Sequence, residues 1–362
     1  MAFLDPHRDI RAIISAQLGT FLDKSPLSEM KELRKSPRIV GSRTQAPASA
    51  LREDVAAEIV AMLKKRHGSD GFFDMTSGPS TRLQQATSNV ALSYAGSGSP
   101  VNYLPLGARL KPRGIFEDDW TAKVTPQRPW AIILLHGSID SKGVWQLLGG
   151  ELRFDGWAVF APDYGTRATG LIPDSAEQIA AYVEAVKHAS GAEKVVVIGH
   201  SQGGLVARYW MRVLGGAHHV RHLICLGSPN HGTTQGGIIS QLITTYRSDS
   251  VVSAVIDSFF GPAGAQQIVG SPLLRAINEG GDTDGGVTYT NIATKSDAVV
   301  VPPETCFLDP SQVKDGTVRN IYVQDFDKRA VVLHHDLPMD RRVRAIVRTI
   351  IRQLYMTDFR QP

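Results

Sequence analysis

Val195-Val196-Val197-Ile198-Gly199-His200-Ser201-Gln202-Gly203-Gly204-Leu205-Val206 decides the fold. A run of β-branched residues ends at Gly199, and an amphipathic run follows Gly204, so the stretch predicts a buried strand, a sharp turn and a helix. Gly199-His200-Ser201-Gln202-Gly203 fits G-x-S-x-G. In that pattern the glycines make room for a turn so tight that a side chain there would strike neighbouring backbone. The serine is held strained at the strand end, its hydroxyl exposed at the mouth of the helix.

The same alternation extends outward. Apolar runs at Trp130 to Leu135, Trp157 to Ala161, His222 to Leu226, Val287 to Ala293 and Val318 to Gln324 read as strands. Between or after them, Ser175 to Ala189 (capped by Asp174 or Ser175, stopped near Gly191) and Arg341 to Leu354 read as helices. Strands alternating with helices imply an α/β protein: a mostly parallel central sheet with helices on both faces. In such sheets ligands sit at the carboxyl ends of the strands. Residues 96–362 are read as this catalytic-type domain. Residues 235–286 interrupt it with Gly-rich and apolar sequence, expected either as a cap or lid over an apolar pocket or as a packed subdomain. Residues 1–95 are read as a helical N-terminal extension with two amphipathic stretches and a Pro/Ser-containing linker.

The chain has 362 residues, 42% of them hydrophobic and 20% charged, with net charge +4, a balance typical of globular proteins. The late arginines, Arg341, Arg342, Arg344, Arg348 and Arg352, suit a solvated helix face. With no aromatic-interleaved basic patch beside them, no nucleic-acid partner is expected. There is no run of eighteen apolar residues, and the first ten residues lack a secretory apolar core. Cys225 and Cys306 are the only cysteines. Together these lead us to expect a cytoplasmic or otherwise intracellular protein. The compact apolar face of the first N-terminal stretch leaves transient contact with a membrane or lipid-droplet surface open.

A serine hydroxyl needs a base, usually a histidine oriented by a carboxylate, and in this sheet type the chain order is Ser, acid, His. Asp297 follows a strand and precedes apolar Ala298 to Val301, and it ranks above Asp282, Asp284, Asp309 and Asp315. His334 and His335 both follow the last strand, and either could be the base. An oxyanion site would use the N–H groups of Gln202 and Ser138. His200 and His136 are expected beside the substrate. His218, His219 and His222 lack companion ligands and read as a surface turn, so no metal is expected. No phosphate-binding loop is present, and no cofactor is expected.

Several blocks resemble bacterial class 2 lipases of the α/β-hydrolase superfamily, particularly the actinobacterial triacylglycerol lipase branch. They are His136-Gly137, Phe160 to Gly165, Gly199 to Gly204, Ser228-Pro229-Asn230-His231-Gly232-Thr233-Thr234, Tyr289 to Ile292 and Asp297 to Pro302. The resemblance runs from about Pro129 to the C-terminus. It implies an ester hydrolase acting on a small-molecule ester or lipid, with Ser201 as nucleophile and Asp297 as acid. It favours His334 as base, because the family's histidine is followed by an apolar residue and then an aspartate, here Leu337 and Asp340. Secreted members carry cysteines near the positions of 261–267 and 324–326, where this chain has none.

Overall fold

The computed structural model describes residues 104–239, 256–257, 259–312 and 318–359. The N-terminal stretches read as amphipathic helices and linker lie outside the described residues.

Six strands, β1 (Ala131–Leu135), β2 (Ala158–Phe160), β3 (Val195–His200), β4 (Val220–Leu226), β5 (Thr288–Ala293) and β6 (Val318–Tyr322), form one sheet in the order β2-β1-β3-β4-β5-β6. Every neighbouring pair is parallel. The central strands are uniformly apolar because both of their faces are covered. Within β1, Ala131, Ile133 and Leu135 pack on one side of the sheet, while Ile132 and Leu134 pack on the other. The first side is covered by α2 (Ile172–Ser190) and α3 (Gln202–Arg212), the second by α1 (Gln146–Phe154) and α7 (Arg341–Phe359). Three further short helices, α4 (Gln235–Ile239), α5 (Pro262–Gln266) and α6 (Pro272–Asn278), belong to the interrupting segment.

Two local expectations change. Helix α2 begins at Ile172, before Asp174, because Pro173 occupies the first turn, where its missing N–H loses no helical bond. It ends where expected, with Gly191 left-handed at φ 78°. His222 is not on a surface turn. It sits in β4 with 3% exposure, its ring nitrogens meeting the hydroxyls of Thr288 and Thr290. His218 and His219 do lie on a short turn, Gly216–His219.

The described part of the interruption is packed into the domain. Ala263, Leu273, Leu274 and Ile277 join the core under α2 and α3. A parallel bridge ties Ile268 to Thr233, in the block following β4. No helix among the described residues is long and apolar enough to cross a membrane.

Candidate active site

Three loops at the carboxyl ends of β3, β5 and β6 bring the site together. Ser201 connects β3 to α3 with φ 51° and ψ −123°, a strained conformation for a non-glycine residue. Its neighbours leave no alternative. A Cβ at Gly199 would lie 2.5 Å from the Gly204 nitrogen, and one at Gly203 would lie 2.3 Å from the Leu135 carbonyl oxygen. The Ser201 N–H is anchored to the Leu226 carbonyl at 2.9 Å, which ties the turn to the end of β4. Only 7% of Ser201 is exposed.

His334 follows Leu333 in a short helical turn ahead of α7. Its Nε2 lies 2.9 Å from Ser201 Oγ, and its Nδ1 lies 2.8 Å from Asp297 Oδ2. The second Asp297 oxygen accepts from the N–H groups of Val299 and Val300, each at 2.9 Å. Burial pushes this carboxyl's pKa up, but His334 and the two N–H donors outweigh it and hold the group below its ordinary value. Asp297 is therefore an ionised acceptor beneath the imidazole. His335 points elsewhere: its Nε2 lies 3.2 Å from Asp336, and its side chain is partly exposed. The lower-ranked acids have other partners. Asp282 faces His231 and the Asp309 N–H, and Asp284 accepts from the Tyr289 hydroxyl. Asp315 lies outside the described residues.

The loop after β1 closes the other side. A Cβ at Gly137 would stand 3.0 Å from Ser201 Cβ, so this backbone runs directly against the serine. In the loop, the Ile139 N–H donates to the Arg167 carbonyl at 2.8 Å and the Asp140 N–H to Gly137 at 3.2 Å. Both of these N–H groups are engaged, and the Ser138 N–H stays a candidate donor. The Gln202 N–H stands at the first turn of α3, where helix geometry supplies no internal acceptor and the dipole favours negative charge. Ser138 Oγ donates to Gln202 Oε1 at 2.5 Å, so the two expected oxyanion residues touch.

The two other histidines expected beside the substrate are both buried, and they differ in what they touch. His200 is 3% exposed, its Nε2 lying 3.0 Å from the His334 carbonyl oxygen and its ring 5.1 Å from the His334 ring. His136 is fully enclosed. It stacks on Tyr164 at 4.4 Å, and its Nδ1 faces the Gly137 carbonyl at 2.9 Å. Full enclosure leaves His136 no face for a substrate, so it braces the loop after β1 instead. Burial lowers the pKa of both rings.

Two contributors to this geometry were not singled out from sequence. Arg167 donates to the Ile139 carbonyl at 2.6 Å and to the Leu110 carbonyl at 2.7 Å. Gln267, from the interrupting segment, reaches Ser138 Oγ at 3.1 Å and Gln202 Oε1 at 3.3 Å. Arg167 lies in the Phe160 to Gly165 neighbourhood but outside the matching block. Gln267 stands in a stretch notable by eye only for its missing cysteines.

Residues 131–239 match the family model described as the alpha/beta hydrolase fold. The chain has the α/β-hydrolase fold. Over 78% of this chain and 64% of the other, the fold is similar to the crystal structure of Aspergillus fumigatus lipase B, at 17% identity and TM-score 0.50. In sequence the chain is similar to a triacylglycerol lipase of Pseudarthrobacter phenanthrenivorans, 29% identical over 140 residues. It is also similar to one of Burkholderia plantarii, 28% identical over 158 residues. The aligned stretches cover 36% and 41% of this chain and 43% and 42% of the two lipases, so less than half of either relative is spanned. Within this fold, the elbow, the β1 loop and the turn before α7 are the places where side chains converge.

Proposed function

We propose that the protein is a serine carboxylic-ester hydrolase of the lipase/esterase type. One observation carries this: Ser201, His334 and Asp297 form an unbroken hydrogen-bonded series, 2.9 Å and 2.8 Å long at its two links. The similarity to two proteins named triacylglycerol lipases supports acyl esters as the substrate class.

In the proposed reaction Ser201 Oγ attacks the ester carbonyl while His334 Nε2 takes the hydroxyl proton. Asp297, ionised and held by two backbone donors, keeps the His334 Nδ1–H in place and stabilises the imidazolium that forms. The tetrahedral oxyanion is met by the N–H groups of Gln202 and Ser138. His334 returns the proton to the leaving alcohol, which leaves an acyl ester on Ser201. Water, deprotonated by the same imidazole, attacks that ester, and the acid departs as Ser201 regains its proton.

The test is hydrolysis of p-nitrophenyl esters from acetate to palmitate by the wild type, Ser201→Ala and His334→Ala. Turnover by the wild type and its loss in both variants is expected, and the preferred chain length sorts esterase from lipase. A wild type silent across the whole series would count against ester hydrolysis.

A further inference from the structure

The two N–H groups assigned to the oxyanion come from different parts of the chain, one after β1 and one after β3. The β1–β3 pairing sets their separation coarsely, and what joins Ser138 to Gln202 adjusts it finely. That link is a hydrogen bond between side chains, and Gln267 is placed to determine its direction.

Gln267 is 3% exposed and Gln202 is fully enclosed. Gln267 Nε2 lies 3.2 Å from the Ala263 carbonyl oxygen, 3.1 Å from Ser138 Oγ and 3.3 Å from Gln202 Oε1. A carbonyl oxygen can only accept, so the Gln267 atom facing Ala263 must be the amide nitrogen. The Gln202 atom that receives from this nitrogen must then be its oxygen. Ser138 Oγ, itself receiving from Gln267, directs its single proton to the same Gln202 oxygen at 2.5 Å. With two protons for three acceptors the Gln267 amide shares one of them, and the Ala263 carbonyl fixes which end of that amide faces Ser138 and Gln202.

The glutamine is itself anchored. Its carbonyl accepts from the Thr233 N–H at 3.0 Å, and its N–H donates to Gly264 at 3.2 Å. Thr233 Oγ1 donates to the Val299 carbonyl at 2.7 Å and accepts from the Val301 N–H at 3.0 Å. Those contacts flank the two N–H groups that hold Asp297. Thr233 therefore joins the acid's loop to the oxyanion corner.

We propose that Gln267 is a positioning residue for the oxyanion site. By fixing the Ser138–Gln202 bond it holds the two main-chain donors at the spacing the transition state requires. Oxyanion donors act through being preorganised, and losing one costs about 100-fold to 1000-fold in kcat. The proposal rests on the ester-hydrolase reading above and deepens it.

The full chain is tested as wild type, Gln267→Met, Gln267→Glu, Ser138→Ala and the Gln267→Met/Ser138→Ala double variant. The readouts are kcat and KM on p-nitrophenyl butyrate, the rate of Ser201 phosphonylation by a fluorophosphonate, and thermal melting. Gln267→Met should lower kcat and the phosphonylation rate about 10-fold to 100-fold while KM changes less than about 3-fold. In the Ser138→Ala background the same substitution should cost about 2-fold or less, because no hydroxyl remains to orient. For Gln267→Glu, activity relative to wild type should rise as pH falls from about 8 to about 6, since a protonated carboxyl regains a donor. If wild type is active and Gln267→Met keeps kcat within about twofold, or loses equally with and without the Ser138 hydroxyl, the proposal is overturned alone. A wild type that neither hydrolyses the ester nor takes the label overturns the ester-hydrolase reading and this proposal together. Should Gln267→Met fail to fold, the Gln267→Glu ratio decides, and a ratio flat with pH contradicts the proposal.

Discussion

Two strained regions flank Ser201, the elbow itself and the joined loops after β1 and β2, and they are held by different means. The elbow strains one residue, Ser201 at φ 51°, and confines it by close backbone packing: Gly199 against Gly204, and Gly203 against the end of β1. Opposite it, Ile139 stands at φ 59°, and Gly165, Thr166, Arg167 and Ala168 form a left-handed turn with φ between 49° and 64°. Each left-handed non-glycine residue costs roughly 1–2 kcal/mol. No glycine spacing relieves the three at Thr166 to Ala168. They persist because Arg167 and Ile139 exchange hydrogen bonds in both directions, while Gln267 holds the neighbouring Ser138 from a segment more than a hundred residues away. The elbow is shaped mainly by steric contact with backbone, the other region by side-chain hydrogen bonds drawn from across the fold.

That difference can be broken from either side. The largest expected effect is on the elbow's partners: Asp297→Asn should lower kcat about 10³-fold to 10⁴-fold at unchanged melting temperature, measured with a soluble ester. Retention of a tenth of the activity would mean that the carboxylate does not orient His334. Gly203→Ala comes next. Its Cβ would lie 2.3 Å from one carbonyl oxygen and 2.8 Å from another, with backbone on both sides. Loss of about 3 kcal/mol or more in urea unfolding is expected, as for overpacking against main chain. On the facing loop, Arg167→Met leaves the Leu110 and Ile139 carbonyls without their donor and should cost about 2–3 kcal/mol of stability along with a fall in kcat. An Arg167→Met protein of wild-type stability and rate would show that the left-handed turn stands without its clamp.

Both loops enclose a histidine, and the sign of their pH response follows from burial. His200 in the elbow and His136 under the facing loop have pKa values lowered from the ordinary 6.5 by loss of solvent. Just below that pH the unfolded chain takes up protons that the folded protein refuses, so stability falls as the solution is acidified and rises with pH. His222, pushed down to about 3 by burial, adds in the same sense between that value and 6.5. Melting temperatures between about pH 7.5 and pH 5.5 should fall with acidification, each group supplying up to about 1.4 kcal/mol per pH unit. Substituting His222 by Asn should flatten the curve. The smallest effect expected is from His335→Ala, within about twofold of wild-type kcat, because its ring faces Asp336 and not the serine.

The same contrast explains what could be read beforehand. G-x-S-x-G names its own geometry, and Asp297 was legible because a lone carboxylate between a strand and an apolar run has to be held by something. The parallel sheet followed from strands alternating with helices. His334 and His335 could not be separated by their place after the last strand. The family resemblance, through Leu337 and Asp340, favours His334, and the structure puts its ring between Ser201 and Asp297. Arg167 and Gln267 left no such trace, since a hydrogen bond spanning 28 or 129 residues imposes no local pattern. His222 was misplaced for a related reason. Its neighbours His218 and His219 suggested a surface turn, while the hydroxyls that make its burial tolerable, Thr288 and Thr290, lie on the adjacent strand.

The central claim is that Ser201 becomes covalently acylated by way of His334. The most direct measurement is intact and peptide mass spectrometry of the full chain after reaction with a fluorophosphonate. A single phosphonyl adduct is predicted on the peptide containing Ser201, absent in Ser201→Ala and formed far more slowly in His334→Ala. An adduct on another residue, or ester turnover that survives in Ser201→Ala, would contradict it.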